Sequence, residues 1–174
     1  MPAARAALLA FFQDRLAGQL RDEGYAAQEI DAVLADGATR IDQVPRRLAA
    51  VRAFLELPEA ASLAAANKRI GNILKKSDAA PASVDSALLL EPAEQALGSA
   101  FTEVSPAAEA LYAQGDYTGM LRALAPLKLP VDRFFDDVMV NVDDARLRAN
   151  RLALLRNLHA TMNRVAYISK LTAG

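Results

Sequence analysis

Apolar residues return at three- and four-residue spacing through two segments of this chain, and no comparable stretch alternates apolar with polar. In 63–74 the series is Leu63, Ala66, Ile70, Ile73 and Leu74. In 147–165 it is Leu147, Leu154, Leu155, Leu158, Met162 and Val165. This is the period of a helix that buries one face, so each segment needs other helices to cover it. Hydrophobic residues make up 53% of the chain, but aromatics only 6%, and Trp is absent. Ala and Leu dominate the apolar positions, and both favour helix over strand. The pattern predicts an all-α helical bundle with Leu63, Ile70, Ile73, Leu74, Leu154, Leu155, Leu158 and Met162 inside. With 174 residues the chain is long enough for one domain with a real core.

Glycines, prolines and short polar residues divide the chain into helices. Pro2 suits a first helical turn and Gly24 a helix stop. A second helix is expected over 26–35, stopped by Asp36-Gly37. A third is capped by Asp42, has Pro45 in its first turn and ends near Leu57-Pro58. A fourth runs over 59–77. The stretch DAAPASVD at 78–85 reads as a polar linker. Beyond it, helices are expected over 91–104, 106–114, 117–125 and 131–138, with Ser105-Pro106 and Gly115-Asp116 as boundaries. A long last helix is expected over 143–171, with Asp143 and Asp144 at its positive end. The expected organisation is a single helical domain over 1–174, with N-terminal helices in 1–77 and C-terminal helices in 86–174.

Several chemistries are excluded or disfavoured. Without Cys there is no disulfide and no thiolate metal site, and the lone His159 has no second His or Cys to join it. No Gly-rich phosphate loop is present. The pairs Asp136-Asp137 and Asp143-Asp144 are explained more cheaply by a cap and a solvated face than by a divalent metal. No catalytic residue and no metal ligand are therefore assigned. The longest apolar run falls short of the roughly 20 residues of a membrane span. The N-terminus carries Asp14 and Arg15 soon after its apolar stretch, and reads as an amphipathic helix rather than a signal peptide. No membrane partner and a cytoplasmic location are expected.

Charge is unevenly distributed. The net charge is −1, yet residues 46–76 hold seven Lys/Arg against two Glu, and residues 146–174 hold six Lys/Arg and no acid. Two basic segments in an otherwise acidic chain either direct an anion to one place or simply coat solvated helix faces. In the fourth helix Lys68, Asn72, Lys75 and Lys76 fall at i, i+4, i+7 and i+8, with Arg69 at the border. Such a stripe offers cations to phosphates and an amide to a base edge. In the last helix Arg151 lies beside the apolar stripe. A charge there needs a partner, and Asp136 or Asp137 is the expected one. Structural pairing and RNA contact both remain open for Arg151.

Three stretches resemble one known family. ANKRIGNILKK at 66–76 is similar to the signature helix of the anticodon-binding domain in the bacterial glycyl-tRNA synthetase β subunit. LKLPVDRFFDDVMVNVDDARLRANRLALLRNL at 127–158 resembles the segment that closes that subunit, and FFQDRLAGQLRDEGYAAQEIDAVLA at 11–35 the stretch before both. Asn141 and Gly71 depart from the family pattern. The resemblance implies an all-helical module related to the anticodon-binding domain of arginyl-tRNA synthetases, without catalytic groups of its own, from a much longer subunit and with Met1 an added start. It implies binding of the anticodon arm of glycine tRNA in support of ATP-dependent glycylation. The partners would be the remainder of the β subunit and an α subunit that activates glycine; no cofactor is expected in this chain, while ATP and Mg serve the complete enzyme. The family's basic helix maps onto Lys68, Arg69 and Asn72, with Lys75 and Lys76 following, and its closing motif onto Arg146, Asn150 and Arg151, with Arg148 between. The competing expectation is a helical protein–protein docking module within the synthetase that touches RNA little.

Overall fold

A computed structural model describes residues 2–35, 40–77 and 81–172 of the chain. Eight α-helices are described: α1 (Pro2–Asp22), α2 (Ala27–Leu34), α3 (Val44–Leu55), α4 (Ala60–Lys75), α5 (Pro92–Ala113), α6 (Tyr117–Ala123), α7 (Lys128–Asp137) and α8 (Ala145–Met162). Short 3-10 turns lie at Ile41–Gln43, Ser86–Leu88, Ala125–Leu127 and Ile168–Leu171. No strand occurs among the described residues, as the all-α expectation requires. Nor is any described helix long and apolar enough to cross a membrane. The Asp36-Gly37 stop and the first three residues of the expected linker lie outside the described residues.

The apolar stripes meet as their period demands. α4 packs on α8 and on the final 3-10 turn, α3 on α6, and α5 on α6, α7 and α8. Leu63, Ile70, Leu154, Leu155, Leu158 and Met162 are buried, while Ile73 and Leu74 are half-buried against the same core. Gly24 and Gly115 take positive φ angles of 92° and 77° and stop α1 and α5. At each, the following N–H reaches back to a carbonyl of the last turn: Tyr25 to Leu20 and Asp116 to Leu111.

Four boundaries differ from expectation. α5 is continuous through Pro106 where two helices were expected. An interior proline costs about 3 kcal/mol, but Pro106 and Thr102, whose carbonyl it leaves without a helical donor, are both exposed. Buried Leu97 and Ala108 hold the turns on either side against the core. The last helix ends at Met162 rather than near Leu171. There the Arg47 guanidinium collects the carbonyls of Arg164 and Val165 at 2.9 and 2.8 Å, and the Tyr167 N–H donates to Ala32. These bonds turn the chain out of helix while Val165, Ile168 and Leu171 stay buried. Asp42 sits within a 3-10 turn beside Arg40, and Gln43 occupies the start of α3 without a side-chain cap. α7 begins at Lys128, three residues before the expected start, because the preceding 3-10 turn runs straight into it.

Leu155 lies at the centre of the α8 face and is fully buried. Leu155→Ala is expected to destabilise the chain by about 2–5 kcal/mol, read from the shift of a urea unfolding curve. A loss below about 1 kcal/mol, typical of a site that water already reaches, would contradict this packing.

Candidate nucleic-acid interface

Several of the cations hold the fold itself together. In the first basic segment, Arg47 is buried, bonded to the end of α8, to Gln43 and to the Tyr112 hydroxyl, with its guanidinium 4.7 Å from the Tyr117 ring centre. Arg52 pairs with Glu29 at 2.9 Å and lies over Tyr25 at 4.0 Å. In the second segment, Arg164 pairs with Glu109 at 3.0 Å and lies over Tyr112. Arg46 is exposed 5.5 Å from the Tyr117 ring centre, and the other cations of the first segment lie in the C-terminal half of α4, where Lys68, Arg69, Asn72, Lys75 and Lys76 are all exposed.

These side chains do not form one uniform stripe. Lys68, Arg69, Asn72 and Lys76 border a shallow depression on α4. Arg69 and Lys76, one helical repeat of seven apart, also edge a larger groove of about 850 Å³. Its far wall is residues 136–141 and the start of α8, which contributes Arg148; its apolar lining includes Ile73, Phe135 and Leu152. The Arg69 guanidinium lies 4.2 Å from the Phe135 ring centre. Asp136, Asp137 and Asn141 line the same groove. The site therefore offers a flat cationic and aromatic surface, flanking cations, and polar groups that accept or donate in the plane of a base.

Lys75 faces another way, towards His159. The His159 imidazole packs against Gly71, where an added Cβ would stand 3.2 Å from Nε2. Glycine at 71 thus accommodates the histidine. Burial first, and then the Lys75 charge, lower the His159 pKa below its usual value of 6.5.

The closing-motif residues build walls. Arg146 is exposed on the first turn of α8, which Asp144 caps by accepting from the Arg146 and Leu147 N–H groups. Arg148 donates to the Val142 carbonyl. Asn150 is buried, accepting from the Asp85 N–H at 2.8 Å and donating to the Asp85 carbonyl at 3.0 Å. Arg151 is buried as an ion pair. Its partner is Glu94, not Asp136 or Asp137, and it also donates to the Met139 carbonyl at 2.6 Å. The acids expected to pair with it line the groove instead. Glu94 projects from the first turn of α5, where the other carboxylate oxygen accepts from the Leu90 and Glu91 N–H groups at 3.0 and 2.8 Å.

Sequence reading missed Phe135, Asn141 and Met139 as groove residues. A signal existed in the adjacent aromatic pair Phe134-Phe135, whose side chains leave the helix about 100° apart and so need not share one environment. Phe134 enters the core, and Phe135 turns to the groove; Met139 at its rim is 71% exposed.

The helical scaffold thus leaves a short cationic face on α4 beside a groove that Phe135 lines. Residues 63–172 match the family model of the DALR anticodon binding domain, and the chain belongs to that family. Among curated relatives, it is 63% identical over 170 residues to the glycine–tRNA ligase β subunit of Leptothrix cholodnii, an overlap of 97% of this chain and 24% of that protein. Against the same subunit of Dechloromonas aromatica the identity is 61% over 172 residues, or 98% of this chain and 24% of the relative. The chain spans about a quarter of the length of the relatives it matches.

Two predictions follow from this geometry. Glu94→Ala leaves the Arg151 charge buried without its partner and removes the acceptor of the Leu90 and Glu91 N–H groups just before α5, and is expected to cost about 3–5 kcal/mol in urea unfolding; a change under about 1 kcal/mol would show that the pair is not buried in solution. His159 has a depressed folded-state pKa, so the unfolded chain takes up its proton first as pH falls. Its contribution is complete above pH 6.5 and declines below it. The melting temperature should fall as the pH is lowered below 6.5, and His159→Gln should flatten that fall; an unaltered pH profile would contradict the burial.

Proposed function

We propose that this chain binds the anticodon arm of glycine tRNA as the C-terminal module of a glycyl-tRNA synthetase β subunit. The observation that carries the reading is the joining of the exposed α4 cations to the groove in a chain of the anticodon-binding family. Lys68 and Lys76 hold backbone phosphates. Arg69 over Phe135 gives an unstacked loop base a surface to stack on, and Asn72 reads a base edge. Arg148 flanks the groove from α8, Arg146 adds charge at its first turn, and Lys75 adds longer-range attraction. Asn150 and Arg151, both buried, shape the wall and do not touch RNA. Glycine activation, with its ATP and Mg, belongs to the complete enzyme and its α subunit in the cytoplasm.

A phosphate contact is sequence-blind and releases a counterion. Lys68→Ala should therefore weaken cognate and non-cognate tRNA alike, and make the slope of log affinity against log salt shallower by roughly 0.7. Asn72→Ala should leave that slope unchanged and reduce discrimination by roughly 1–3 kcal/mol, the size of a paired base contact in DNA. Filter binding across a salt series with the two tRNAs measures both. Wild-type affinity and slope in a Lys68→Ala/Arg69→Ala variant would remove the site from α4.

A further inference from the structure

α1 is seated at one end only. Leu20 is buried, and Leu16 and Ala17 pack against the core. Leu9, Phe12, Leu16 and Leu20 follow one another at three- and four-residue steps, and Leu8 precedes Phe12 by four, so all five share one helix face. Along that face the cover ends abruptly: Leu8 is 56%, Leu9 50% and Phe12 51% exposed. Phe12 and Leu16 also form one side of an open groove of about 550 Å³ whose other side carries Ile41, itself 67% exposed. An apolar stripe that is core at one end is therefore bare at the other, and it continues onto a second element. A contiguous apolar patch of this kind marks an interaction surface.

We propose that the bare part of this stripe, together with Ile41, docks against the portion of a β subunit that precedes this region in the chain's relatives. About three-quarters of those relatives' length lies outside the matched region. The inference rests on reading the chain as one part of such a subunit; it does not depend on where RNA binds. Continuity argues for it, since the bare residues extend an interface that α1 already makes within the fold. The chemistry of the occupant follows from the face. It is apolar opposite Leu9 and Phe12, and it carries a carboxylate opposite Arg5, which lies four residues before Leu9 on the same side of the helix. Asp14 is exposed, lies two residues from both Phe12 and Leu16 and five from Leu9, and so points to the opposite side of the helix; it supplies an internal control.

The test places a photocrosslinking amino acid at position 9 or position 14 of the complete β subunit. Crosslinks from position 9 to segments of the subunit outside this chain, with loss of those products from position 14, are expected. Products joining two copies of this chain, or equal products from both positions, would overturn the proposal. In parallel, Leu9→Asp/Phe12→Asp should lower the melting temperature of the complete subunit, while leaving the melting temperature and tRNA affinity of the 174-residue chain unchanged. Unchanged melting of the complete subunit would overturn the docking face. Loss of tRNA affinity by the double variant at unchanged melting would give the face to RNA instead. Failure of the α4 variants to alter RNA binding would leave both crosslinking outcomes as informative as before, so the two readings fail separately.

Discussion

The ion pair between Glu94 and Arg151 holds together parts of the chain that no local rule would bring near each other. Both side chains are buried, 57 residues apart in sequence. Two charges taken out of water are tolerable only when their remaining hydrogen-bonding capacity is also met. Glu94 meets it by accepting the Leu90 and Glu91 N–H groups that the start of α5 leaves without helical partners, and Arg151 by donating to the Met139 carbonyl. A smaller version of the same device occurs at α2. There Glu29 accepts from the Ala26 N–H at 2.7 Å and from Arg52 at 2.9 Å. In both places a glutamate on the first turn of a helix converts an unsatisfied helix end into a docking point for an arginine from elsewhere.

The groove depends on that anchoring. Within little more than one turn of α8, Arg148, Asn150 and Arg151 hold the carbonyl of Val142, the backbone of Asp85 and the carbonyl of Met139. The irregular stretch between α7 and α8 is thereby fixed as a wall facing Arg69 and Phe135. The chain's net charge is only −1, but the cations are sorted. Arg47, Arg52, Arg151 and Arg164 are engaged by carboxylates, carbonyls and tyrosine rings, while the α4 cations stay exposed, Arg69 among them although it lies over Phe135. Phosphate binding draws on cations that are free to exchange counterions, and the C-terminal half of α4 keeps four exposed cations together, Lys68, Arg69, Lys75 and Lys76.

Features governed by nearest neighbours were legible in the sequence. Gly24 and Gly115 stop helices because their backbone conformation is one that side chains disfavour, and the burial of Leu154, Leu155 and Leu158 follows from period alone. Features set by distant partners were not. The end of α8 is decided by Arg47, well over a hundred residues away, against an apolar spacing that continues through Val165, Ile168 and Leu171. Pro106 reads as a break, yet the helix passes it because packing on one side outweighs a lost bond on the solvated side. The exposed stripe of α4 was visible as an amphipathic pattern. Its opposite wall, and the role of Phe135 in it, required the register of α7 against α4.

The α4 face and its groove are tested together most directly by titrating the isotope-labelled chain with glycine tRNA and following backbone amide resonances. The amides expected to shift or broaden are those of 65–77 on α4 and of 135–149 around the groove, with those of α1 and α2 unmoved. Perturbation confined to α1 and α2, or the same pattern of shifts with an uncharged RNA analogue of equal length, would contradict the assignment of this face to RNA.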